Sequence, residues 1–221
     1  KRGLIDHVPE LAIADILGST EGGMGQSIMT KDTPASETAK FTLLPVAKVL
    51  VPDGSREVVP GSGEVGMVAQ GGMVPLGYYK DPEKSAKTFK EVDGKRYAFI
   101  GDMATVEADG TINLLGRGSN CINTGGEKVF PEEVEEALKL HADVADALVF
   151  GLEDERFGNR VAGVVSLEQG GSAEAEDILE ATRKLLASYK LPRDLLVVPV
   201  VPRAPNGKAD YKTAKSMMTG D

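Results

Sequence analysis

Residues 116–135 read GRGSNCINTGGEKVFPEEVE. An arginine flanked by glycines, Arg117, leads into a short segment around Ile122, a Gly125-Gly126 pair, and then Pro131 followed by Glu132, Glu133 and Glu135. Proline at the first helical position supplies a fixed φ where no N–H is needed, and carboxylates in the first turn complement the positive end of the helix dipole, so a helix starts at Pro131. Paired glycines between two short strands permit positive φ, a tight turn and close approach of a ligand to the backbone. On residues alone, Gly125-Gly126 reads equally as a hairpin turn and as a ligand-facing loop. The character of the chain changes across this stretch. We place a domain boundary here, at about residue 118, with 1–117 on one side and 118–221 on the other.

Toward the C-terminus the helix from Pro131 extends to about His141, with Val134, Ala137 and Leu138 as its inner stripe. VADALVFGL (144–152) and RVAGVVSL (160–167) are Val-rich strands, and residues 173–189 place Ile178, Leu179, Thr182, Leu185, Leu186 and Tyr189 on one helical face. LLVVPVV (195–201) is a further strand, and a last helix covers Lys212 to Met218. Helix, strand, strand, helix, strand is the order of a small α+β domain. Toward the N-terminus the reading is mostly β. Residues 42–51, 64–70, 96–100, 104–106 and 111–116 are extended, with turns at Asp53-Gly54 and Asp109-Gly110. One short helix is capped by Asp81, has Pro82 at its first position, and ends near Phe89.

The chain of 221 residues is 41% hydrophobic and 27% charged, enough apolar content to bury a core. With 25 basic and 34 acidic residues the net charge is −9, which argues against a nucleic-acid partner held by bulk electrostatics. One cysteine, Cys121, excludes an internal disulfide framework and points to a reducing, cytoplasmic compartment; we read its side chain as packing. No apolar run is long enough to form a transmembrane segment. The N-terminal stretch KRGLIDHVPELAIADIL carries Asp6, Glu10 and Asp15 and does not read as a signal peptide. It begins at Lys rather than Met, as a fragment or a processed product does.

Four motifs bear chemistry. Gly18-Ser19-Thr20-Glu21-Gly22-Gly23 closes an apolar strand; such a turn can offer hydroxyls and backbone N–H groups to a phosphate, with a carboxylate beside it for Mg²⁺, and it also fits a plain polar turn. Ile100-Gly101-Asp102 at a strand end places an acceptor suited to paired hydroxyls, or is simply a turn. The third is the 116–135 stretch. In the fourth, Pro205-Asn206-Gly207-Lys208, a cation on a Gly turn can swing toward an anionic centre or merely be solvated.

In this order, and with the segments EVGMVAQGGMVPLGYYKDPEKSAKTF, HADVADALVFGLEDERFGNRVAGVV and YKLPRDLLVVPVVPRAPNGKADY between them, the motifs resemble the adenylate-forming superfamily of acyl-CoA synthetases, adenylation domains and luciferases, from about Leu11 to Lys215. The wording GRGSNCINTGGEKVFPEEVEEAL is most similar to bacterial synthetases for long-chain or steroid-derived acids. The resemblance implies an α+β fold: a small β-barrel-like subdomain from the end of the large adenylate-forming domain (1–117), then a small, mobile α+β C-terminal domain (118–221). It implies part of a fatty-acid or other carboxylic-acid CoA ligase of lipid metabolism, which forms acyl-AMP from ATP and passes the acyl group to coenzyme A.

It further implies that Gly18 and Thr20 contact the nucleotide, that Glu21 lies near Mg²⁺, and that Asp102 and Arg117 reach the ribose. Lys208 is implied as the catalytic cation of adenylation, Ser119 as the hinge, and Gly125, Gly126 and Lys128 as the path of CoA. Three positions depart from the pattern: Leu17 stands where an aromatic is usual, Ile100 where Thr is usual, and Ser119 where Asp or Lys is usual. The upstream phosphate loop and most of the acyl pocket have no counterpart in these residues, so the reading calls for a missing N-terminal portion in cis or in trans. The alternative is a non-catalytic, truncated paralogue serving as a nucleotide- or CoA-binding or interaction module.

Overall fold

Short apolar runs cut by Gly and Asp turns fold into strands through the first half of the chain. In a computed structural model, which describes residues 2–33 and 40–220, helix α1 (Arg2–His7) precedes β1 (Ile13–Ser19), β2 (Gly22–Met29), β3 (Lys40–Leu43), β4 (Ala47–Leu50) and β5 (Gly66–Gln70). Helix α2 (Pro82–Thr88), β6 (Phe89–Val92), β7 (Lys95–Val106) and β8 (Ile112–Arg117) follow. A 3-10 turn at Gly118–Asn120 leads to β9 (Ile122–Thr124), β10 (Glu127–Val129), α3 (Pro131–Leu138), β11 (Val144–Asp154), β12 (Gly158–Leu167), α4 (Ala175–Thr182), β13 (Asp194–Val197) and α5 (Tyr211–Thr219). The chain divides into two compact units, Lys1–Leu115 and Gly116–Asp221. That division falls two residues ahead of the 117/118 boundary of the sequence reading.

In the first unit the pairing runs β1-β2-β3-β8-β7-β5-β4, with β6 attached to β7. No β1–β4 pairing exists among the described residues, so in its hydrogen bonding the barrel-like subdomain expected above is an open sheet. The sheet nevertheless curls: β2 approaches β5 closely enough that a Cβ on Gly22 would lie 2.4 Å from Gln70 Nε2. The curl encloses a core of Leu17, Met24, Val49, Val68, Ala104, Val106 and Ile112 drawn from β1, β2, β4, β5, β7 and β8. Helix α2 forms as expected, with Asp81 capping it through the Lys84 N–H and Pro82 at its start.

In the second unit, β11 and β12 form an antiparallel hairpin and β13 adds to β12 in parallel. Period-two alternation along β11 divides the packing. Ala147 and Val149 face Val134 and Leu138 of α3 and Ile178 of α4. Leu148, Phe150 and Leu152 face Val198, Val201 and Ala214 of α5. The α+β class is as the sequence implied: helices cover both faces of a small sheet.

Several expectations need correction. Residues 42–51 are not one extended run, because Leu44–Val46 separates β3 from β4. The strands expected at 96–100 and 104–106 are one strand, β7, so Ile100-Gly101-Asp102 is not a strand end. It is a bulge, where the step from Met67 to Ala69 on β5 faces the longer step from Met103 to Phe99 and Gly101 takes φ +94. Helix α3 stops at Leu138, short of His141, and has no side-chain N-cap. Helix α4 ends at Thr182 instead of running to Tyr189: beyond it Leu185 and Tyr189 are 52% and 43% exposed, and only Leu186 of the expected stripe still packs on the core. The strand at 195–201 ends at Val197, just before Pro199, which has no N–H for the ladder.

Candidate functional site

The Gly/Ser/Thr turn of the first unit joins β1 to β2. Ser19 pairs with Gly22, and Thr20 and Glu21 form the tip. Gly18 and Thr20 are exposed, and the Glu21 N–H donates to Ser19 Oγ at 3.1 Å. The Glu21 carboxylate accepts the hydroxyl hydrogen of Tyr78, which stands just ahead of α2. This bond is the main reason the Glu21 carboxyl sits below its ordinary range; partial burial opposes it, while Ser19 and the Lys84 ammonium add to it. Lys84 Nζ lies 4.2 Å from the Tyr78 ring centroid, and the Phe89 ring packs on Tyr78 at 5.3 Å between centroids. The turn thus keeps an ionised carboxylate at an exposed tip, braced from α2. Among the described residues no group of three or more His, Cys, Asp or Glu could hold a metal. A cation at Glu21 would have to share its shell with ligand oxygens, which suits Mg²⁺ on a nucleotide phosphate.

Asp102 sits in the β7 bulge at 9% exposure. Leu17, one residue before Gly18, turns into the core and is 8% exposed. Tyr78 lies in the Gly-Tyr segment of the sequence, and only folding reveals it as the partner of Glu21.

The second unit carries the remaining site residues. Arg117 ends β8, and its N–H donates to Glu132 Oε1 at 3.3 Å. Ser119 lies exposed in the 3-10 turn, with its hydroxyl 3.5 Å from Asn120 Oδ1. Beside that turn a cleft of about 260 Å³ opens, lined by Ser119, Asn120, Cys121, Gly151, Tyr211 and Lys215 among others. Burial pushes the Cys121 thiol up, which keeps it protonated near neutral pH.

Gly125-Gly126 forms the two-residue turn of the β9–β10 hairpin, with φ of +59 and +90. The Gly125 N–H donates to Phe157 O at 3.0 Å, and Phe157 lies in the turn between β11 and β12. The Phe157 ring is covered by the Arg193 guanidinium at 4.2 Å. Lys128, on β10, is exposed.

Lys208 is exposed at the tip of a second turn. Its carbonyl accepts from the Ala204 N–H at 2.8 Å, its own N–H donates to Asn206 Oδ1 at 3.1 Å, and Gly207 takes φ +79. Arg203 bridges to Ala209 across this turn and binds both oxygens of Asp146, at 2.8 and 2.7 Å. The two turns are therefore anchored at opposite ends of β11, the Lys208 turn at Asp146 and the Gly125 turn past Asp154. Along an extended strand these ends are roughly 26 Å apart.

Between them lies a buried polar cluster that sequence reading missed. Glu135, on α3, is 8% exposed and accepts the Val149 N–H at 2.9 Å, and its charge bears on Tyr211 at the start of α5. Burial pushes its carboxyl up to about 7, against the pull of the Val149 bond, and raises the Tyr211 hydroxyl as well. Among helix-start carboxylates nothing in the sequence marks Glu135 as the inward one except its place one residue after Val134.

Comparison with known proteins fits this geometry. Residues 133–208 match the family described as the AMP-binding enzyme C-terminal domain. The chain is 46% identical to the 3-oxocholest-4-en-26-oate–CoA ligase of Rhodococcus rhodochrous over 97% of its own length and 39% of the ligase. It is 47% identical to the medium/long-chain-fatty-acid–CoA/3-oxocholest-4-en-26-oate–CoA ligase of Mycolicibacterium smegmatis, over 98% of the chain and 39% of that protein. The chain spans about two-fifths of the length of these relatives. Among solved structures it is similar to ATP-bound MatB from Rhodopseudomonas palustris (TM-score 0.74, 27% identity, 91% of this chain and 39% of that one). It is also similar to the amide bond synthetase McbA from Marinactinospora thermotolerans (TM-score 0.78, 26% identity, 92% and 42%). No helix among the described residues is long and apolar enough to cross a membrane. Residues 133–208 are therefore similar to the AMP-binding enzyme C-terminal domain, and the chain, over nearly its whole length, is similar to part of acyl-CoA ligases.

Proposed function

We propose that this chain is the part of an AMP-forming acyl-CoA ligase that alternates between two half-reactions, activating a long-chain or steroid-derived carboxylic acid as acyl-AMP and then passing it to coenzyme A. The observation that carries the reading is the anchoring of the Lys208 turn and the Gly125-Gly126 turn at opposite ends of one strand, β11, within one compact unit. Turns so anchored serve a single reaction centre by turns, as the unit reorients about Ser119. Lys208 supplies the cation where negative charge develops on the carboxylate and the α-phosphate. Gly125 and Gly126 leave the backbone bare for the pantetheine arm, with Lys128 toward the CoA phosphates.

In the first unit, Gly18 and Thr20 face the nucleotide phosphate. Glu21, kept ionised by Tyr78, would offer its carboxylate to Mg²⁺, which when bound neutralises phosphate charge. Asp102 takes the ribose, the role the resemblance also gives to Arg117 of the second unit. The acid's identity is supported by the substrates named for the relatives at 46% and 47% identity. The upstream phosphate loop and acyl pocket belong to a portion supplied in the same polypeptide or by a partner.

The test is Lys208→Ala in the complete enzyme. Acyl-adenylate formation should fall by about 10²–10³-fold, the typical loss when one preorganised charge is removed from a developing anion. Thioester formation from supplied acyl-adenylate should be retained. Equal loss in both half-reactions would remove the basis for assigning the two turns to separate steps.

A further inference from the structure

Glu132, in the first turn of α3, does not cap that helix. Phe130 at the N-cap offers no side-chain cap, yet the Glu132 carboxylate turns back along the chain. Its Oε1 accepts the Arg117 N–H at 3.3 Å and the Asn120 side-chain amide at 3.4 Å. Its Oε2 is buried and has no hydrogen-bond partner. This oxygen occupies the space beside Gly116, where a Cβ would come within 2.1 Å of it; Gly116, with φ +118, is the residue at which the second unit begins. The carboxylate therefore fills a notch that only a glycine leaves open and ties both ends of the 117–120 segment to α3.

The contact is also poised to break. Both hydrogen bonds are long, and a buried carboxylate oxygen without a donor is a standing free-energy cost that another arrangement can relieve. Such an atom in a native structure calls for a reason, and exchange with a second arrangement that pairs it is one. We propose that Glu132 is a positioning residue for the connector between the two units: it latches residues 116–120 onto α3 in one state and frees them in the other, so that its carboxylate biases which half-reaction the unit serves. The bias on half-reactions rests on reading Ser119 as the pivot; the latch itself stands on the geometry.

Two measurements separate these. In the 221-residue chain, hydrogen exchange at the Arg117 amide should be about tenfold faster in Glu132→Ala than in the parent, while the amides of α3 and β11 keep their rates. Glu132→Gln, which retains the Oε1 acceptor, should keep Arg117 protected. Unchanged Arg117 exchange in Glu132→Ala, or an equal rise through α3, would overturn the latch and leave Glu132 as a helix-stabilising carboxylate only. In the complete enzyme, Glu132→Ala should slow one half-reaction by about tenfold and leave the other within about twofold, with Glu132→Gln near the parent, the size of an ordinary coupling between sites. Equal slowing of both, or of neither, would overturn the role in alternation even if exchange supports the contact. A parent enzyme with no ligase activity would instead sink the proposed function, and the exchange result would still decide the latch.

Discussion

At the scale of single residues, burial changes what a carboxylate does. Glu133, Glu135 and Glu136 look alike in the sequence, but of the three only Glu135 is buried, with its carboxylate on the Val149 N–H. Its carboxyl, pushed by burial from the usual 4.5 up to about 7, keeps a proton in the folded chain that the unfolded chain has already lost across that interval. Stability from this group is complete below pH about 4.5 and is lost as pH rises toward 7, amounting to roughly 3 kcal/mol by linkage. Glu135→Gln cannot titrate. The stability difference between parent and Glu135→Gln in urea denaturation should therefore change by about that amount between pH 4.5 and 7. A pH-independent difference would mean that Glu135 titrates alike in the folded and unfolded chain. At Glu21, by contrast, the sequence already marked the residue, and folding added the hydroxyl of Tyr78, the largest of the influences that lower its pKa.

At the scale of elements, helix starts and tight turns were legible because their chemistry is local. Asp81-Pro82 opens α2, and Gly125-Gly126 turns β9 into β10 with positive φ at both glycines. Ends decided by packing were not legible. The apolar positions of 173–189 continue past Thr182, but α4 stops there and the stripe splits, with Leu186 still on the core and Leu185 turned to solvent. The bulge in β7 is likewise a product of pairing with β5, and it moves Asp102 from an expected strand end into the middle of a strand. The β9–β10 turn yields its own prediction. At Gly125 a Cβ would come 3.0 Å from Phe157 Cδ1, and the positive φ strains any other residue. Gly125→Ala should cost about 1–2 kcal/mol in chemical denaturation. An unchanged midpoint would mean that the turn shifts freely, and that Phe157 does not hold it.

At the scale of the whole molecule, the two units have separate cores. Residues 116–221 bury Val134, Leu138, Val149, Val165 and Ile178 on one face of their sheet, and Leu148, Phe150, Val164 and Ala214 on the other. Expressed alone, this unit should unfold in one cooperative transition and give a dispersed amide spectrum. A collapsed state lacking dispersion would show that its core depends on the first unit. The sequence by itself determined the α+β class, the change of character near Arg117, the helix starts, the turn chemistry and the motif residues, since each is written in neighbouring residues through φ preference, capping and apolar period. Tertiary structure alone decided that the barrel-like sheet stays open, that Tyr78 braces Glu21, that Glu135 is buried while Glu132 reaches back to Arg117, and that the Lys208 and Gly125 turns are anchored at opposite ends of β11. Those facts depend on which distant segments share a strand or a core, and no local preference encodes that.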